Sequence, residues 1–373
     1  MAKHRRFSVD RFVDKFQGQE PLLGAYVASF NGRMPATSGA LDVPGFRKLL
    51  AEGNGEGMDD LFEGLYRVYD LCTETGLEHL VAACGDLSYA PDPDGLLPVE
   101  CLSLKVRTEH EEAFNSAYDR NTLTYAERFT VYRGKAPKGI IDLADARQRL
   151  EAKLAETFKG DKSSDRVLVR TYREDDYTNF VVYHEKRTKA ELVFKGTRGK
   201  ERVAPTILRP AQQDFISYNH VTGQVEIEAR FEHEESTLRT HFAECCLDDA
   251  GFFEEEAAAK RFDLTRLTAE DFAMPVDPED TAVVAELYFQ LSQKYDPTFL
   301  VRSTDTLESL DLNTLRKRLA GGTVKRVVFK ITFPDDKRGK RVELSGQNRI
   351  RFKRATHADD VFRYLKDWEV LVA

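Results

Sequence analysis

The chain has 373 residues, 41% hydrophobic and 32% charged, with 23 glycines and 13 prolines; this composition excludes a disordered or low-complexity protein and is long enough for two or three domains. No run approaches the roughly 18 consecutive apolar residues of a membrane span, and no apolar stretch follows the basic start Met1–Arg6, so neither a membrane protein nor a secretory signal is expected. The net charge of −8 is unevenly spread: from Leu315 onward 16 Lys and Arg face 7 Asp and Glu, a net of +9, which leaves −17 on the rest. One end that meets a polyanion would look like this.

In chain order, Asp59–Thr75 reads as a helix stopped by Gly76, because Leu61, Phe62, Leu65, Val68, Tyr69 and Cys72 recur at helical spacing. The loop Gly53–Gly57 is acidic and lacks the Lys-Ser/Thr of a phosphate-binding loop. Strands are expected at Cys101–Arg107 and Tyr125–Tyr132, then a long helix capped by Asp142 with Leu143, Ala146, Leu150, Leu154 and Phe158 on one face, ending at Gly160. Residues 166–232 read as an antiparallel β-meander whose clearest turn is Asn219–Gly223, after which Val225, Ile227, Ala229 and Phe231 alternate with polar residues. A helix spans Ser236–Leu247. Val283–Leu291 fits either helix or strand, and Leu307–Leu319 reads as a helix. Three strands follow, with Val327, Phe329, Ile331, Phe333, Val342, Leu344, Ile350 and Phe352 facing inward; the last helix starts at Thr356-x-x-Asp359 like a capping box and buries Val361, Leu365 and Trp368. The fold class is therefore α+β and multidomain: a mixed, mainly helical acidic segment 1–160, a central meander plus helix at 161–274, and a basic module at 275–373 made of a helix and a three-stranded antiparallel sheet.

The basic module carries the sharpest functional signal. If its apolar residues face the core, Arg326, Lys330, Arg341, Arg349, Arg351 and Lys353 face outward, Lys337, Arg338 and Lys340 form a hairpin tip, and Arg316, Lys317 and Arg318 lie on the preceding helix. So dense a cationic surface can neutralise several phosphates at once. The bland alternative is a solvated face whose charges prevent edge-to-edge pairing. In outline, the helix and basic-tipped hairpin resemble a winged helix.

Other constellations are weaker. His220, His233, His241, Cys245 and Cys246 cluster in sequence, and His241 and Cys245 share a helix face, but Leu238 and Phe242 make that the core face and no zinc spacing matches. Pro334-Asp335 with Glu343-Leu344-Ser345 lacks the lysine of a metal-dependent nuclease. Phe180, Tyr183, Phe194, Phe215 and Tyr218 are expected mainly in the core. No cofactor, metal centre or catalytic set is assigned. Five scattered cysteines (Cys72, Cys84, Cys101, Cys245, Cys246) do not form a disulfide framework, which points to the cytoplasm. The expectation is a non-catalytic nucleic-acid-binding subunit with further protein partners and no membrane role, of a build that suits a bacterial anti-phage defence component. The alternatives are a scaffold whose basic face meets an acidic partner or the chain's own acidic segment, and a metal-dependent hydrolase.

Overall fold

Helices fill the first part of the chain. A computed structural model describes residues 7–30, 41–52, 57–162, 164–195, 202–269, 271–291, 295–309, 322–336 and 338–372. In it, residues Met1–Tyr125 form one compact unit, with helices α1 (Val9–Val13), α2 (Glu20–Ala28), α3 (Val43–Glu52), α4 (Met58–Leu71), α5 (Glu74–Asp86), α6 (Val99–Glu109) and α7 (Glu111–Thr124). The expected helix at residue 59 is α4, but Gly76 does not stop it. Thr73 caps α5, its Oγ1 accepting from the Gly76 N–H at 2.9 Å. A Cβ on Gly76 would lie 2.2 Å from the Leu71 carbonyl oxygen, so only glycine fits where the two helices meet. The strand expected at Cys101–Arg107 is instead α6. Cys101, Leu102, Ser103, Leu104 and Val106 are all buried within the helical unit, and a helix buried on most sides lacks the polar stripe that would reveal its period.

The second unit, Ala126–Ala373, is built on one ten-stranded sheet. Its strands are β1 (Arg128–Arg133), β2 (Val167–Glu174), β3 (Tyr177–Glu185), β6 (Ala211–Asn219), β7 (Gln224–Glu228), β8 (Thr281–Gln290), β9 (Thr298–Arg302), β10 (Thr323–Thr332), β11 (Lys340–Ser345) and β12 (Arg349–Arg351). They lie in the order β2-β3-β6-β7-β1-β12-β11-β10-β8-β9, and β4 (Lys189–Lys195) pairs with β5 (Arg202–Leu208) separately. The fold is thus α+β with a large antiparallel sheet, and β8 resolves the Val283 ambiguity in favour of a strand. The boundaries read from sequence at 160 and 274 do not coincide with this division, since β1 pairs with both β7 and β12 and joins all three expected segments in one sheet. Nor is the β10–β11 hairpin a free wing, because β8 flanks one side and β12 the other.

Helices α8 (Leu143–Lys162) and α9 (Glu232–Leu247) share a core with Val169, Phe180, Val182, Ile216, Tyr218, Val225, Ile227 and Tyr132, which fixes one face of the β2–β1 half. Asp142 Oδ1 caps α8 as expected, accepting from the Asp145 N–H at 3.0 Å. At the Asn219–Gly223 turn, Asn219 Oδ1 accepts from the Val221 and Thr222 N–H groups at 3.0 and 2.8 Å, and Gly223 takes φ +70°. The short helix α10 (Thr306–Ser309) overlaps the first residues of the helix expected at Leu307–Leu319; residues 310–319 lie outside the described residues. The last helix, α11 (Ala358–Asp367), covers the inward residues of β10–β12: Val361 and Leu365 are fully buried, and the Trp368 ring lies 5.1 Å from that of Phe329. Register decides which face this is. Phe129 opposes Ile350 and Val131 opposes Glu226, whereas Tyr132 opposes Val225, so α11 covers the sheet face opposite to that of α8 and α9. The half-sheet β12–β9 therefore turns its charged residues towards the α8/α9 side, past the strands those helices cover.

Candidate nucleic-acid interface

Strand alternation places Arg326, Lys330, Arg341, Glu343, Arg349 and Arg351 on this side, with Glu286 of β8 and Arg302 of β9 beside them. A groove of about 650 Å³ runs over it, lined among others by Glu127, Glu286, Arg302, Arg326, Asp336, Arg338, Arg341, Glu343, Arg351 and Lys353. Its centre is Glu286, whose side chain is only 8% exposed and which three guanidiniums approach: Arg341 at 2.8 Å, Arg302 at 2.9 Å and Arg326 at 3.6 Å. Burial works to raise the Glu286 carboxyl, but the Arg341 hydrogen bond and the three positive charges outweigh it and hold the group below its ordinary value. Arg326 also lies 3.6 Å from Glu343, and Arg351 3.5 Å from Glu127. The carboxylates are the more buried partners: Arg302 and Arg341 are 64% and 55% exposed at the side chain.

The expected basic residues fall into four groups. Arg326, Arg338, Arg341, Arg351 and Lys353 line the groove, and Lys330 stands opposite Arg341 on β10. Arg349 is drawn away to Glu232 at the start of α9. Lys340 is a correction to the expected hairpin tip: it opposes Ile331, an α11-face residue, and is 6% exposed. Its ammonium donates to the Lys353 and Thr356 carbonyls and the Thr356 hydroxyl, and desolvation lowers its pKa. That contact also takes the hydroxyl from the expected capping box; His357, at φ +56°, becomes the N-cap residue, stacked 3.9 Å from Phe333. Arg316, Lys317, Arg318 and Lys337 lie outside the described residues. Arg302 and Glu286 escaped the sequence reading because β8 and β9 precede the basic segment and only pairing brings them in.

The remaining candidates are structural. His241 Nε2 lies 2.9 Å from Thr157 Oγ1, and Cys245 is buried with its thiol pushed up by desolvation, opposite to what a metal-binding thiolate needs. His220, His233 and Cys246 converge with them on no cluster of three metal-ligating groups among the described residues. Phe180, Phe215 and Tyr218 are buried, as expected for core; the Phe194 side chain lies outside the described residues. No described helix is long and apolar enough to cross a membrane. No protein-family model matches the chain, and no curated protein matches it.

Proposed function

We propose that the protein binds nucleic acid through the phosphate backbone, along the groove over β12–β9, and acts there as a non-catalytic binding subunit. The observation that carries this reading is the sharing of one buried carboxylate, Glu286, by three arginines, two of them more than half exposed. Glu286 offsets one of the three charges and Glu343, through Arg326, a second; the planar guanidiniums of Arg302 and Arg341, held in place by Glu286, are well presented to phosphate oxygens. No side chain in the groove reads as a base-specific set, so binding should depend on salt far more than on sequence.

Mobility shift with single-stranded DNA, duplex DNA and single-stranded RNA, at low and moderate salt, tests the reading. Lys330 and Lys353 form no ion pair among the described residues, so Lys330→Glu with Lys353→Glu should leave the fold intact. The double variant should weaken binding by at least about tenfold. Parent-like binding by that variant, or no binding by the parent to any of the three, would overturn the reading. An adaptor role has one feature in its favour: Phe299 and Leu300 on β9, the last strand of the sheet, are 47% and 45% exposed.

A further inference from the structure

We infer that His184, Asp214 and Glu234 form a divalent-metal site, with the Gln212 amide oxygen as a fourth ligand, at the wall of a second cavity. The site follows from register. Gln212 and Asp214 are two apart on β6 and share a face; His184 of β3 directly opposes Gln212, and Asp214 opposes Val182 on the same α8/α9 side. Glu234, in the first turn of α9, comes down on them. One ligand atom from each of His184, Asp214 and Glu234 lies within 4.8 Å of the others, and no other cluster of this kind exists among the described residues.

The donor set is matched to a 2+ ion. His184 Nε2 is 2.8 Å from Asp214 Oδ2, close to the roughly 3 Å edge between adjacent ligands on an ion held at about 2.1 Å. Asp214 and Glu234 are 1% and 2% exposed, so two carboxylates sit together where water screens them little. The second, independent observation is Gln212, 6% exposed. Its Nε2 donates to Asp214 Oδ1 and to Glu234 Oε2, both at 2.7 Å, while its Oε1 is buried with no hydrogen-bond partner. An orphaned buried amide oxygen is costly. As it stands, Oε1 points away from the carboxylates and Nε2 bridges them; with a cation bound between the carboxylates, a half-turn of the amide would bring Oε1 onto the ion and leave Nε2 in the place where Oε1 now has no partner. One imidazole with two or three hard oxygens suits Mn²⁺, with Zn²⁺ as competitor. Phe158, 4.6 Å from the His184 ring, holds its plane.

The site is reachable. Gln212 and Glu234 also line a cavity of about 590 Å³ whose other walls include Lys186, Arg187 and Arg230. An ion on the cluster would face this cavity, and the cations around it fit an anionic oxygen ligand on the metal. The cluster shares no lining residue with the groove over β12–β9, and ion binding there does not require the groove to bind nucleic acid.

The test uses the full chain, stripped with chelator and dialysed, then titrated with Mn²⁺ followed by electron paramagnetic resonance and with Zn²⁺ followed by calorimetry. One ion per chain is expected, with a rise of several degrees in melting temperature at saturating metal. Asp214→Asn and His184→Ala should abolish the bound ion and the thermal shift, and Gln212→Ala should weaken binding by about tenfold or more. Unchanged melting of the stripped parent and no bound Mn²⁺ or Zn²⁺ at millimolar metal would overturn the inference, whatever the variants do. So would full metal binding by a folded Asp214→Asn or Glu234→Gln protein, since the four groups would then be a hydrogen-bonded core network and nothing more.

Discussion

Glu228, at the end of β7, makes stability depend on pH. Burial raises its carboxyl from 4.5 to about 7, and the negative charge of Asp214 pushes the same way. The folded protein therefore holds this proton more tightly than the unfolded chain. The resulting stabilisation is complete below about pH 4.5 and is lost as pH rises through about 7, a swing of no more than about 3 kcal/mol. Glu228→Gln should remove the penalty: urea midpoints should match the parent at pH 4.5 and exceed it at pH 8, and equal midpoints at both would show that Glu228 is effectively solvated. Lys340 carries a second prediction. Lys340→Met keeps the buried stem but leaves the Lys353 and Thr356 carbonyls without their donor, so it should cost about 2 kcal/mol. Lys330→Met, on the open face, should stay within about 0.5 kcal/mol. From sequence the two lysines look alike, and only the pairing of Lys340 with Ile331 separates them.

Elements were legible where one face is wet and the other dry. α4, α8 and the β10–β12 strands carry that contrast in their own residues, and the structure places them within a few positions of where periodicity does; β7 alternates in sequence, yet Glu226 on its polar side is as buried as Val225 and Ile227. α6 was not legible, because Leu102, Leu104 and Val106 alternate like a strand, while Cys101 and Ser103 beside them are also buried and Lys105 is half-buried. The candidate metal cluster was invisible for another reason: its ligands come from β3, β6 and α9, thirty and fifty positions from His184, and register alone brings them together. The buried face of the last helix was legible, although its start was not, and that face carries its own prediction. Trp368 is the chain's one tryptophan, is 1% exposed, and its Nε1 donates to the Pro275 carbonyl at 2.9 Å. Native emission should be that of a shielded indole and should shift red on unfolding; a hydrated spectrum in the native protein would mean α11 is undocked. Trp368→Ala should cost about 3–5 kcal/mol, since the ring fills the space between Phe329 and Tyr364.

At the scale of the molecule, the charge polarity seen in sequence is balanced in part within the second unit. Cations of residues 315–373 pair with acids from outside that segment: Arg341 and Arg326 with Glu286, Arg349 with Glu232, Arg351 with Glu127, Arg354 with Glu226, and Arg363 with Asp277. Among the described residues, five carboxylates from earlier in the second unit thus meet six of the segment's 16 cations. What remains for a polyanion is smaller than a count of twelve basic positions suggests. Apart from buried Lys340, the groove is lined by six cations (Arg302, Arg326, Arg338, Arg341, Arg351, Lys353) and four carboxylates (Glu127, Glu286, Asp336, Glu343), which leaves two charges, and Lys330 adds a third. Each phosphate neutralised on duplex DNA contributes about −0.9 to the slope of log affinity against log salt. The expected slope is therefore about −2 to −3, against about −11 if all twelve positions met phosphates. Binding isotherms at four salt concentrations read it directly. A slope near −3 that falls by about one in Lys330→Glu places the footprint on the groove. A slope near −10 would require cations elsewhere on the chain, and a slope near zero would remove phosphate contact from the account of this surface.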